Sequence, residues 1–438
     1  MQNLENNQKQ SNMQKVALTA LAGTSIEWYD FFLYGAAAAL IFPTAFFGEM
    51  PPTTALLLSL LTFAAGFIAR PIGGIIFGHF GDKVGRKKTL ISALMLMGIS
   101  STLIGLLPTY AMIGVAAPIL LTTLRFAQGL AIGGQWGGAM LLVTESAPSD
   151  QRGYYGAFAQ AGAPIGVILA NLALIITSAL VSEEFFNTWG WRIPFLASAV
   201  LILISMYIQL NLEDTDAFKA LTNNKDTQSN ENIQKSPVVV AIRKYPKRIF
   251  LAAGAFLSVQ VTFYILIAFM LAYGVTSANM ARDDMLAAVL IASAIMVPIQ
   301  FVFSSYSDRH GRKGIFMLGA VLTGIWAFAI FPLVDTGNFY LIVLAITGGL
   351  VFLAMMYGPQ AAFFTELFST EVRYSGATLG YQFGAIVGGA FAPTIAVKLW
   401  TEFDIIWVSA YIALASLLTL LSVMALTETY QSDLNNTD

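Results

Sequence analysis

The chain has 438 residues, of which 57% are hydrophobic and only 11% charged, against roughly 25% charged in an ordinary soluble domain. With no cysteine and two histidines, His79 and His310, it offers no disulfide framework, thiol nucleophile, His-dependent triad or multi-histidine metal site. A net charge of -2 says nothing about partners, since the placement of charge matters more than its sum; no nucleic acid, cofactor or metal is expected.

The first fifteen residues are polar, without an apolar core or cleavage site, so residues 1–15 are expected to form a cytoplasmic tail and no signal peptide. Apolar stretches long enough to span a bilayer follow at about 16–42, 54–80, 89–107, 112–144, 154–181 and 191–211, then at 249–274, 285–306, 315–333, 339–366, 375–400 and 404–427. A polar segment at 213–247, ending in the basic amphipathic run VVVAIRKYPKRI, separates them. The expected architecture is therefore all-α, with twelve transmembrane helices in two six-helix bundles at 16–212 and 248–427 and a short tail at 428–438. Loop charge sets the orientation: 18 Lys and Arg fall on the side of the N-terminus against 3 on the other. Both termini are thus expected in the cytoplasm of a multi-pass inner-membrane protein.

The halves repeat one another. GHFGDKVGRKK at 78–88 recurs as SSYSDRHGRK at 304–313, aligning Asp82 with Asp308 and Arg86 with Arg312. TESAPSDQRGYYGAFAQAGAPIG at 144–166 recurs at 365–388, aligning Glu145 with Glu366, Arg152 with Arg373 and Gln160 with Gln382. Parallel six-helix repeats are a transporter architecture in which solute sits between the halves near mid-membrane.

Four charges fall inside the apolar spans: Glu27, Asp30, Arg70 and Arg125. Each costs roughly 2.5–3.5 kcal/mol on insertion scales, so such groups are functional candidates by default; the structural alternative is an ion pair with no transport role. At 100° per residue, Arg125, Gln128, Gln135 and Trp136 share one face of the fourth helix, and Glu27, Asp30, Phe31 and Tyr34 one face of the first. Gln160 and Asn171 share a face of the fifth helix, while Gly162, Gly166 and Ala170 form a ridge suited to packing. In the second half the positions matching Asp30, Arg70 and Arg125 lie near Phe256, Met296 and Ile346, which carry no charge. Proton chemistry is therefore expected in the first half. Gln260, Tyr264, Gln300, Tyr357 and Gln360 are neutral groups suited to orienting a solute, or else satisfied interhelical hydrogen bonds.

The motif G-x-x-x-D-x-x-G-R-K-K, its degenerate copy, and R-x-x-Q-G in the fourth helix resemble the major facilitator superfamily. Within it, EWYDFFLYG, ARPIGGIIFGHFGD, GGQWGGA, GWRIPF and GPQAAFFTELFSTEVRYSGATLGYQFGAIVGG resemble the metabolite:proton symporters. That resemblance implies proton-coupled uptake of an organic acid, proline or betaine by alternating access. Gln135 stands where many members carry Glu, which removes it as a proton site. The resemblance also implies that Asp82 meets the start of the eleventh helix and holds the cytoplasmic side shut, with Asp308, in the weaker copy, contributing less.

The expected function is uptake of a small organic solute, a carboxylate, with a proton, by a monomer in the lipid bilayer. Asp30, Glu27 and Arg125 form the proton-coupling set, in which ionised Asp30 is expected to pair directly with Arg125. Arg70, Arg125, Gln128, Gln135, Trp136, Gln160, Tyr264, Tyr357 and Gln360 form the binding set. Asp82, Arg86, Asp308, Arg312, Glu145, Arg152, Glu366 and Arg373 form the gate. The competing readings are an exporter of drugs or metabolites and a proline or betaine symporter. A membrane enzyme lacks a recognisable nucleophile, metal cluster or phosphate loop.

Overall fold

The computed structural model describes the backbone of residues 2–84, 86–213, 237–369 and 372–430; within it, the side chains at 2–12, 78–90, 134–139, 141–142, 208–213, 237–240 and 374 lie outside the described residues. The helices are α1 (Gln2–Leu40), α2 (Pro52–Val84), α3 (Arg86–Leu106), α4 (Ala116–Ser146), α5 (Arg152–Leu180) and α6 (Ile193–Glu213). In the second half α7 is Pro246–Thr276, α8 Arg282–His310, α9 Arg312–Val334, α10 Phe339–Glu366 and α12 Ile406–Ala425. α11 runs as Arg373–Gly384, Ala385–Ala390 and Ala392–Glu402. Ten of these are long and apolar enough over their described residues to cross a membrane. Of the other two, α1 carries Glu27 and Asp30 within its apolar run, and α3 has only the apolar piece Ile91–Leu106. Large apolar side chains such as Ile75, Leu106, Val302 and Leu344 face outward, as lipid-facing positions of a multi-pass membrane protein do.

The helix that the sequence places from about residue 16 has a helical backbone from Gln2. The amphipathic run before α7 holds a short helix, Pro237–Lys244, while the rest of the expected linker, 214–236, lies outside the described residues.

Small residues decide how closely the helices approach. Gly166 of α5 lies against Trp28 of α1, so a Cβ there would come within 2.5 Å of the Trp28 Cβ; the ridge expected for packing does pack. Gly129 of α4 faces the Gly66 carbonyl of α2, and Gly133 faces that of Arg70. This contact locks α2 to α4 and brings Arg70 and Arg125 into one neighbourhood. The halves meet along α5 with α8 and α10, α2 with α11, and α1 with α7. Two helices of the second half carry a π-helical turn at this seam: Ile265–Phe269 in α7 and Ala385–Ala390 in α11. Such turns recur at functional sites because they free backbone groups and redirect side chains.

Candidate functional site

α1 presents Asp30, Phe31 and Tyr34 inward, and all three are buried. The Asp30 carboxylate accepts a hydrogen bond from Ser198 of α6 at Oδ1, while Oδ2 has no hydrogen-bond partner. Arg125 of α4 is fully buried, donating from Nη1 to Gln128 Oε1 at 3.0 Å. Gln128 Nε2 donates in turn to Ser101 of α3 at 2.7 Å, and Ser101 neighbours the Asp30 carboxylate. The direct Asp30–Arg125 pair expected from the sequence is therefore corrected: among the described residues no ion pair joins them, and the two charges communicate through Gln128 and Ser101.

Aromatic rings take the place of a counterion. The Arg125 guanidinium carbon lies 4.1 Å from the Phe31 ring centre, 4.3 Å from Tyr34 and 4.7 Å from Phe63. Arg70 of α2 lies 4.3 Å from the same Phe31 ring, 4.4 Å from Phe67 and 5.4 Å from Trp28. Ring faces attract cations, more strongly once desolvated, but they accept no N–H bond in the manner of an oxygen. Nε and Nη2 of both arginines accordingly have no hydrogen-bond partner. Those two nitrogens form one edge of a guanidinium, the edge that fits a carboxylate with two parallel bonds. Leaving four buried cationic donors unpaired is costly, so the arrangement favours an arriving anion. Glu27, one turn before Asp30, is partly buried.

From the second half, Tyr264 enters this nest at the start of the α7 π-turn. Its ring lies 5.1 Å from Phe67 and 5.6 Å from Phe63. Gly389, in the α11 π-turn, closes over Tyr264 and Phe67, where a Cβ would come within about 3.0 Å of both. A cavity of about 10 Å³, room for one water, is lined by Trp28, Phe32, Gln260, Tyr264, Tyr357 and Tyr381, among others. Tyr357 and Tyr264 thus line the space between the halves, together with Tyr381, which the sequence reading did not single out.

Gln160 and Gln360 are placed differently. Gln160 Nε2 donates to the Tyr357 carbonyl at 3.2 Å and to Gln360 Oε1 at 3.4 Å, and Gln300 donates to the Ala157 carbonyl at 3.1 Å. These are seams between the halves, not cavity walls. The side chains of Gln135 and Trp136 lie outside the described residues.

At the end of the bundle that carries the basic loops, a second cluster joins the halves. Asp308, at the end of α8, accepts from the backbone N–H of Gly153 and Tyr154 at the start of α5, both at 2.7 Å, and pairs with Arg312 at 2.6 Å. A carboxylate at a helix N-terminus meets unpaired N–H groups and the positive end of the dipole. Arg312 also pairs with Glu366 at 3.2 Å, Arg152 approaches Glu366 at 3.8 Å, and Arg373 reaches Glu145 at 3.4 Å. Six of the eight gate residues thus converge, while the side chains of Asp82 and Arg86 lie outside the described residues. The expectation that Asp308 is the lesser of the two copies rests on a comparison with Asp82, whose side chain lies outside the described residues; Asp308 itself is engaged by Gly153, Tyr154 and Arg312.

Residues 426–430, past α12, fold back onto this cluster, which the sequence did not foretell. Glu428 accepts from the backbone N–H of Arg312 and Lys313 at 2.9 and 3.0 Å, and Thr429 donates to Glu366 at 2.8 Å. Partial burial alone raises the Glu428 carboxyl; the N–H groups of Arg312, Lys313, Tyr430 and Thr429 outweigh it and hold the group below the usual carboxylate range. At the opposite end, Arg282 of α8 donates to Ser178 of α5 at 2.8 Å and lies 4.0 Å from the Phe186 ring centre. Ser178 donates to Asp283 at 2.7 Å. The α5–α8 seam is therefore fastened at both ends.

Among the described residues, twelve long helices in two halves, with Asp30, Arg70 and Arg125 buried inside the first, have the architecture of a membrane transporter. The sequence profile of the Major Facilitator Superfamily matches residues 20–379, and the chain belongs to that family. It is 39% identical over 432 residues to the inner membrane metabolite transport protein YhjE of Escherichia coli K12, covering 97% of this chain and 96% of that one. It is 36% identical to the shikimate transporter of the same organism, covering 92% of each. The proline/betaine transporter of Escherichia coli K12 is 33% identical, over 91% of this chain and 80% of its own. Among solved structures, a D-xylose-proton symporter superposes with a TM-score of 0.74 at 17% identity, covering 97% and 99% of the two chains, which shows the shared fold.

Proposed function

We propose that the protein carries a small organic carboxylate into the cell together with a proton, from an inner membrane in which both termini are cytoplasmic. The observation that carries this reading is the pair of buried guanidinium groups, Arg70 and Arg125, each with one two-nitrogen edge unpaired, beside the buried carboxylate Asp30. Ionised Asp30 balances part of their charge through space and through Gln128 and Ser101. Protonation of Asp30 removes that balance, and the substrate carboxylate restores it on the Arg125 edge. Proton and substrate each make the other's binding more favourable, a reciprocal coupling. Once both are bound the centre is closer to neutral, which lowers the cost of moving between outward-open and inward-open states. The α5–α8 seam is fastened at both ends, which supports reading this arrangement as a closed intermediate. Alternating access then consists of releasing the Asp308–Arg312–Glu366 cluster at the basic end, or the Arg282–Ser178–Asp283 cluster at the other.

A relative named as a shikimate transporter supports the reading. Relatives named as proline/betaine transporters, with the aromatic lining of the cavity, favour a second reading in which the solute is a zwitterion. Purified protein in proteoliposomes with an inward proton gradient distinguishes them from export: labelled carboxylates are expected to accumulate inside only while the gradient persists. Accumulation that ignores the gradient, or extrusion from preloaded vesicles, contradicts the proposal.

A further inference from the structure

Resting on the carboxylate reading, we infer that the aromatic cavity between the halves, which holds about one water in this closed arrangement, widens as the halves part into a separate subsite for the body of the substrate. It selects an uncharged, hydroxyl-bearing body over a bare hydrocarbon or a quaternary ammonium. The cavity lies between Trp28 and Phe32 of α1 and Tyr264, Tyr357 and Tyr381 of α7, α10 and α11. Gln260, one helical turn before Tyr264, is buried and lines it, and its Nε2 has no hydrogen-bond partner. A buried amide left unpaired costs free energy that a ligand hydroxyl recovers on arrival. A hydrocarbon body leaves that penalty in place, and sites built to bond a hydroxyl reject analogues that lack one for this reason.

An aromatic lining by itself also fits a quaternary ammonium. Here the rings already serve a cation. Arg70 lies 5.4 Å from the Trp28 ring centre, and its charge acts on the phenols of Tyr264, Tyr357 and Tyr381. A second cation against the same walls meets Arg70 across a dry space, where charge repulsion is weakly screened. The neutral body wins that comparison.

The probes are matched sets added to the full-length protein in nanodiscs, with binding read by calorimetry and thermal shift. Gluconate, hexanoate and gluconamide form an open-chain set, quinate, cyclohexanecarboxylate and quinamide a ring set, and glycine betaine stands alone. Within at least one set the hydroxylated acid is expected to bind about tenfold tighter or more than its bare counterpart, the equivalent of one recovered hydrogen bond of about 1.4 kcal/mol. Gln260→Leu is expected to bring that ratio towards one while hexanoate or cyclohexanecarboxylate binding holds. Equal binding of hydroxylated and bare acids overturns the subsite while leaving the carboxylate reading intact. Equal binding of an acid and its amide overturns the carboxylate reading instead. Betaine binding tighter than every acid, or no binding by any probe, also overturns the subsite. The wild-type ratios decide the matter even if Gln260→Leu fails to fold.

Discussion

The first half keeps charges in the heart of the bundle, and the second half keeps its described charges towards the helix ends. Asp30 is buried beside Ser198 and Ser101, and Arg70 and Arg125 among the rings of Phe31, Phe63 and Phe67, while the second half offers Gln260, Tyr264, Tyr357 and Tyr381 at the interface. Conversely, Asp308, Arg312, Glu366 and Arg373 meet at the basic end, with Glu145 and Arg152 as the first half's share. In the proposed mechanism the two bundles divide the work: one half titrates and binds charge, the other supplies neutral contacts, π-turns and most of the latch. A charge is expensive in the bilayer, so placing the ionisable set in one half confines that cost to one set of helices.

The division can be broken at its latch, where the largest structural effect is expected. Asp308→Asn removes the charge and one of the two oxygens that accept the Gly153 and Tyr154 N–H groups, and leaves Glu366 as the carboxylate paired with Arg312; breaking a buried pair costs about 3–5 kcal/mol. Spin labels on the adjoining ends of α5 and α8 are expected to move apart, with transport slowed. An unchanged distance distribution removes Asp308 from the gate.

Arg125→Gln takes away one guanidinium edge and is expected to weaken substrate binding by about 1.5–3 kcal/mol, on the order of ten- to a hundred-fold. Calorimetry on the purified variant reads it, and the corresponding uncharged second-half change, Ile346→Ala, is expected to leave affinity within a few-fold. Gln128→Leu cuts the relay without touching either charge. Its expected effect is smaller: substrate still binds, but the pH dependence of transport shifts because Asp30 and Arg125 no longer communicate through Ser101.

The smallest effect falls at Glu428. Its folded carboxyl is held below the ordinary range, so its stabilisation is fully present above the unfolded value and is lost as pH falls through the folded one. The gap in Tm between wild type and Glu428→Gln is therefore expected to be constant near neutrality and to close in acid. A gap that persists in acid assigns the effect to packing.

Much of the frame was legible. Apolar runs and loop charge imply helices and their grouping, because a bilayer demands both, and the repeated motifs align the halves. Spacing along a helix also put Arg125 and Gln128 on one face. What it left open was distance between helices: that Ser101 of α3 and Ser198 of α6 stand around Asp30, that no direct pair joins Asp30 to Arg125, and that Gln160 bonds Gln360 across the seam instead of lining the cavity. The π-turns of α7 and α11, and the return of Glu428 to the start of α9, arise from packing between segments far apart in sequence, which periodicity within one helix does not encode.

The central claim is that Asp30 carries the proton that drives accumulation. Asp30→Asn in proteoliposomes, assayed both for uptake under an inward proton gradient and for exchange of labelled for unlabelled substrate, separates coupling from transport. The account predicts that gradient-driven accumulation is lost while exchange stays measurable. A variant that still concentrates substrate against its gradient contradicts it and passes the role to Glu27.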